Sequence, residues 1–185
     1  MSEPLLTRLV PVRILTPLGW VPCAFTIPRL TTFSDWLDHQ GPFLRPSSAR
    51  IPGGDGHVTS FVLQRDAAML VVPDDPADAV RGEIVGAERV EHEVAFMLEV
   101  GVIRGRLETL AHVSLGDWLM HHPGFVLLKE VTVSLAGAPR SSGIQRHPGV
   151  LVNAARVIGV IESPASRPPA RPMKALPAPA RKPRK

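Results

Sequence analysis

From Leu9 to Leu15 apolar and polar residues alternate, with Val10, Val12 and Ile14 set against Pro11 and Arg13. A period of two is the signature of a half-buried strand. Pro17-Leu18-Gly19 marks a turn, and Trp20 to Ile27 reads as a second strand. Pro11 and Pro22 bring no N–H to a ladder, which argues for edge positions for both strands. The period then changes. Phe33, Trp36 and Leu37 stand at i, i+3 and i+4, the spacing of one helix face. Thr32 followed three positions later by Asp35 is a helix start of capping-box type. The spacing predicts a short helix over residues 33–39, stopped by Gly41-Pro42. Phe43 to Ile51 reads as a third strand weakened by Pro46. Val58 to Leu63 reads as a fourth, beyond a loop that contains Gly-Gly-Asp-Gly, and Ala67 to Val72 as a short fifth after the turn at Gln64-Arg65-Asp66.

The helix segment returns 82 positions later as Ser114-Leu115-Gly116-Asp117-Trp118-Leu119. The offset holds without a gap from Ile14 to Pro46, pairing Gly19 with Gly101, His39 with His121 and Phe43 with Phe125. Near the end it grows to 89, where Val62-Leu63-Gln64 falls on Leu151-Val152-Asn153. The chain is therefore an internal duplication. The second copy reads as strands over 93–100, 102–110 and 125–135, a helix over 115–121, and a closing hairpin of 149–152 and 156–161. Residues 80–92 are open between a turn of helix and an extended lead-in.

Each copy then has five short strands with a helix between the second and third. About five strands in so few residues suggest a small closed barrel. The expected organisation is a flexible arm over 1–8, a first barrel over 9–73, an acidic linker over 74–92, a second barrel over 93–162, and a tail over 163–185. Thr32, Asp35, Trp36 and Phe43, with Ser114, Asp117, Trp118 and Phe125, are read as structural. Trp36 and Trp118 belong to apolar helix faces and are expected in the cores.

The segments Val94-Ala95-Phe96-Met97-Leu98, Gly101, and Val102-Ile103-Arg104-Gly105-Arg106-Leu107 resemble the first two strands and Gly turn of Sm-like small barrels. Leu151 to Glu162 resembles their closing hairpin. Sm-like proteins carry their helix before strand one, and their RNA-contacting aspartate–asparagine segment has no match here. Both copies resemble bacterial small-barrel domains of unknown function, which combine a Leu-Ser-Asp-x-Leu segment with a following Phe. The resemblance implies a mainly β protein of two tandem SH3/Sm-like barrels and brings no activity with it.

Charge divides the chain. The last 23 residues hold Arg167, Arg171, Lys174, Arg181, Lys182, Arg184 and Lys185 and no acid, while the remaining 162 carry 14 basic and 17 acidic residues. The tail is rich in Pro and Ala with few apolar anchors, so it is expected to be disordered with polyproline II bias. It is a candidate contact for nucleic acid, an anionic membrane or an acidic partner, or else a solubilising extension. No run of 18 apolar residues spans a membrane, and the start lacks a signal-peptide pattern, so a cytoplasmic location is expected. The single Cys23 makes no internal disulfide and aligns with Gly105 in a strand, which favours a small buried thiol.

Catalytic patterns are sparse. Asp35 and Asp117 could be a pair of catalytic or metal-binding carboxylates, but their spacing already supplies helix capping. His112, His121 and His122 near Asp117 could bind zinc, yet no Cys–Cys or His-x-x-x-His spacing is present, and histidines at a helix end suit the dipole. Gly-Gly-Asp-Gly lacks the Gly-Lys-Ser/Thr of a phosphate loop, and Ser141-Ser142-Gly143 has no nucleophile-elbow pattern. No Tyr is present. No catalytic, cofactor-binding or metal-binding residue is assigned, and no cofactor is expected. Trp20, beside a turn, is a candidate partner contact. The reading is a non-enzymatic tandem-barrel module that binds another protein or itself. The alternative is a nucleic-acid-binding protein using Sm-like barrels and the basic tail.

Overall fold

The computed structural model describes residues 6–51, 53–54, 56–80, 88–137 and 144–163. The fold is mainly β. In the first half β1 (Thr7–Thr16), β2 (Gly19–Pro28), helix α1 (Phe33–Asp38), β3 (Phe43–Leu44), β4 (Ser48–Arg50), β5 (His57–Val58), β6 (Leu63–Gln64) and β7 (Leu70–Pro73) follow in order. In the second come β8 (Arg89–Leu98), β9 (Gly101–Leu110), helix α2 (Leu115–Met120), β10 (Phe125–Leu135), β11 (Ile144–Asn153) and β12 (Gly159–Glu162). Short 3-10 turns at Arg65–Ala67 and Ala154–Arg156 precede β7 and β12.

The strands form one open antiparallel sheet of ten strands in the order β12-β8-β9-β10-β11-β7-β1-β2-β4-β5, with β3 and β6 paired beside it, so the two expected units are continuous with each other. The two halves share a strand order, and their registers match position for position. Leu15↔Leu70 and Val12↔Pro73 in the first correspond to Met97↔Gly159 and Val94↔Glu162 in the second. Phe43↔Gln64 corresponds to Phe125↔Asn153, and Ala49↔Val58 to Val131↔His147. The halves join where β11, the fourth strand of the second, pairs antiparallel with β7, the fifth strand of the first, through Leu151↔Val71 and Val152↔Leu70.

The junction merges the cores. One core contains Val10, Phe25, Phe33 and Leu37 of the first half together with Phe125, Leu127 and Leu151 of the second. The other contains Phe96, Leu107, Trp118 and Val150 of the second half together with Leu15, Met69, Leu70 and Val72 of the first. Successive side chains of a strand point to opposite faces. On β7 and β11 both faces are covered, so Val71 and Leu151 serve one core and their neighbours the other. Neither half holds its core alone.

Several local differences have clear causes. β1 and β2 are interior strands, which corrects the edge assignment drawn from their prolines. Pro11 lies one residue beyond the β7 pairing, which ends at Val12, and Pro22 one residue beyond the β4 pairing, which ends at Cys23. Each proline therefore sits at the margin of its outer pairing, although the Pro11 carbonyl still accepts the Asp74 N–H at 3.0 Å. The third strand is continuous in the second half but breaks into β3 and β4 around Pro46, which stands where Leu128 stands. Gly101 has φ 148°, and a Cβ there would meet the Ser134 carbonyl at 2.1 Å, so this turn requires glycine.

Thr7 and Arg8, placed in the leading arm by the sequence, belong to β1, and β8 begins at Arg89, inside the expected linker. Part of that linker is packed. Arg8 forms an ion pair with the buried Asp78, Ser34 Oγ donates to the Val80 carbonyl at 2.7 Å, and Ala79 packs on the first core.

Candidate functional site

Helices α1 and α2 start as the spacing requires. Thr32 and Ser114 accept the backbone N–H groups of Asp35 and Asp117 at 3.2 and 3.1 Å. Each hydroxyl donates to the carboxylate of the same Asp at 2.6 Å. Both carboxylates are thus engaged in capping, and they sit in different halves. Trp118 is buried in the second core, while Trp36 is half-buried against Phe25 and Phe33. Cys23 is buried, and desolvation together with the nearby Asp74 pushes its thiol up to about 12. It is therefore no nucleophile at neutral pH.

The histidines after α2 are engaged locally. His121 Nδ1 contacts the Asp117 carbonyl at 2.7 Å and His122 Nδ1 the Trp118 carbonyl at 2.8 Å, with His122 stacked on the Trp118 ring. Among the described residues no group of three or more His, Cys, Asp or Glu stands close enough to hold a metal ion. A cleft of about 340 Å³ lies at the junction, lined by Asp38, Arg65, His121, His122, Pro123, Gly124 and Phe125. Asp38 accepts the Phe125 N–H at 2.9 Å and lies 3.7 Å from Arg65, whose guanidinium sits over the Phe125 ring. Its polar groups hold the two halves together, and its lining has no Ser, Thr, Cys or Lys.

One constellation escaped the sequence. Thr109 Oγ1, His92 Nε2 and Nδ1, and Glu162 Oε1 form a chain with steps of 2.9 and 2.7 Å. That is the order of nucleophile, base and orienting acid. Thr109 is 2% exposed, however, so its hydroxyl cannot meet a substrate. The chain instead ties β8, β9 and β12 together. No sequence spacing announces it, because the three residues come from three strands.

Large apolar residues are exposed at several places, among them Leu9, Leu18, Leu30, Met120 and Ile144, and one set of them lies towards the two ends of the sheet. In the first half Phe43 and Val62 are exposed, and in the second Met97, Ile158 and Ile161 are exposed. Trp20 is half-buried, packs on the second core, and has the Arg13 guanidinium 5.7 Å from its ring. The seven basic tail residues, Arg167 through Lys185, lie outside the described residues. No helix among the described residues is long and apolar enough to cross a membrane. Comparison with protein-family models, curated proteins and solved structures finds no match.

Proposed function

We propose that the chain is a non-enzymatic binding and assembly module that acts through protein–protein contacts at the ends of its sheet. The observation that carries this reading is the exposure of Phe43, Val62, Ile158 and Ile161 beside strands β3, β6 and β12. Isolated exposed apolar residues are ordinary on a protein surface, but an unpaired strand edge rimmed by them is a pairing template. The engaged carboxylates, the buried thiol and the inaccessible Thr109 favour binding over catalysis.

The test is photo-cross-linking in the native host, with a photoreactive residue at Val62 or at Ile161. Protein adducts from these positions, lost when Phe43 or Ile158 is changed to Lys, are the expected result. Adducts to nucleic acid, or none to any protein, would refute it. A second reading, binding of a polyanion, is favoured only by the seven basic and no acidic residues of 163–185. It assigns phosphate contacts to that segment and base-independent binding to the whole.

A further inference from the structure

The geometry points to a specific partner for the two sheet ends, namely a second copy of this chain, joined head to tail. The inference rests on the assembly reading above and names its occupant. Inside one chain the fourth strand of the second half meets the fifth strand of the first, β11 against β7. The sheet then ends on one side at β12, the fifth strand of the second half, and on the other at β5, part of the fourth strand of the first. Each end is thus the counterpart of one side of a junction the fold already makes.

The side chains agree. Met69 and Val72 are 1% and 2% exposed where they enter the neighbouring half's core, and their counterparts on β12, Ile158 and Ile161, are 66% and 56% exposed. Leu15, buried in that same core, has Met97 as its counterpart, which is also exposed. On the opposite side Phe125 and Leu151 are buried in the first half's core, and their counterparts Phe43 and Val62 are 54% and 53% exposed. The positions have kept their apolar character without being covered by any described residue. A solvated edge with no partner gains nothing from large apolar side chains at the places where a junction buries them.

The register follows from the internal junction. Leu151↔Val71 and Val152↔Leu70 translate to Val62↔Val160 and Leu63↔Gly159 between chains. Asn153 donates its side-chain amide to the Arg65 and Ala68 carbonyls at 3.3 and 3.0 Å. Its counterpart, Gln64, offers the same amide to Ala154 and Val157 of the next chain. The contact is weaker than the internal one, because Gly159 stands where Leu70 stands and Arg45 where Leu127 stands. Reversible, concentration-dependent association follows. The contact is heterologous, so it closes into a ring or continues as a filament.

The experiment uses the full chain with Val62→Cys, with Val160→Cys, and with both. The native Cys23 is buried and its thiol is pushed up to about 12, so it stays silent. The expected result is a disulfide-linked dimer when the two single variants are mixed under oxidation, and none from either alone. The double variant should give a ladder of larger species, and Ile161→Lys should abolish both products while leaving the near-UV circular dichroism unchanged. Dimers from one single variant alone would indicate a two-fold contact and overturn the proposal. So would photo-cross-links from Ile161 to the chain's own residues beyond Ser163. A chain that sediments as a monomer across a concentration series and gives no mixed disulfide, yet cross-links to other proteins, overturns self-pairing and leaves the assembly reading standing. No protein cross-link from either end overturns both.

Discussion

Replacing Leu70 by Ala tests whether the two halves are one folding unit. Leu70 belongs to the first half in sequence, but it is 0% exposed and packs in the second core with Phe96, Trp118 and Val152. The substitution removes three carbons, and about 0.8 kcal/mol for each gives a transfer loss of about 2.4 kcal/mol. β7 is buried on both faces and held between β1 and β11, so the site collapses little, and the residual cavity raises the total to about 3–5 kcal/mol. With a urea dependence of about 2 kcal/mol/M, the midpoint falls by about 1.5–2.5 M. The assay is urea unfolding followed by fluorescence in two backgrounds. One keeps only Trp118, in the second core, and the other keeps only Trp36, against the first core. Both probes should report one transition, displaced equally by the substitution. A Trp118 midpoint that stays in place while the Trp36 midpoint falls would show two independent domains and refute the shared-core argument.

Asp117→Ala keeps the backbone N–H bond to Ser114 but removes the carboxylate that accepts the Ser114 hydroxyl at the positive helix end, and should lower stability by about 1 kcal/mol, read as a urea midpoint shift; no shift would mean that this carboxylate contributes nothing. Burial, and secondarily the Arg13 guanidinium, hold the His147 imidazole below its ordinary range. The unfolded chain therefore binds the proton first as pH falls past about 6.5, so this contribution to stability is present above that pH and lost below it. His147→Gln should flatten the fall in denaturation midpoint over that acid range, and an unchanged pH profile would remove His147 as its source. If full-length protein binds DNA, the log–log salt slope should be no steeper than about −6 for seven tail charges, and a chain ending at residue 162 should lose the binding. Sequence-selective RNA binding by that shorter chain would move the nucleic-acid site into the sheet.

Several elements are legible because each leaves a local mark, whereas the strand expected over 58–63 is only β5 and β6 with no strand between them, and β11 begins at Ile144, ahead of the expected 149. The period-2 alternation of Val10, Val12 and Ile14 and the cap residues Thr32 and Ser114 are short-range signals, and both elements appear where they point. The repeat carried the comparison further, since residues matched by offset also match in register. A hydrophobic surface shared by the two copies is expected from their small size, but the strand pairing that joins them is not set by the repeat, although it leaves a trace. Ala68-Met69-Leu70-Val71-Val72, Phe125-Val126-Leu127-Leu128 and Val150-Leu151-Val152 are unbroken apolar runs, which mark strands covered on both faces. Alternation would have left every second residue of those strands in water. The Thr109–His92–Glu162 chain and the Asp38–Arg65 pair had no comparable trace, because they depend on which strands lie side by side.

The divergence between the copies has a physical direction. A duplicated unit with two equally strong sticky ends would polymerise without control wherever its heterologous contact does not close into a ring. Here the inner junction has Leu70, Val72, Phe125 and Leu151, all buried, with Asp38 and Asn153 satisfying backbone groups across it. The outer ends have lost part of this set. Gly159 removes a side chain from β12, Glu162 puts a charge where Pro73 stands, and Arg45 replaces the counterpart of Leu127. The matching fourth strand of the first half is reduced to β5 and β6, two residues each. Charge and short strands are the means by which exposed sheet edges resist promiscuous pairing. Yet Ile158, Ile161, Phe43 and Val62 remain apolar at these same ends. A permanent junction would call for Leu at the positions of Gly159 and Arg45, as at Leu70 and Leu127. An end that is weakened but still apolar fits a contact that must form and release. That is why the expected association depends on concentration, and why trapping by disulfide is the measurement suited to it.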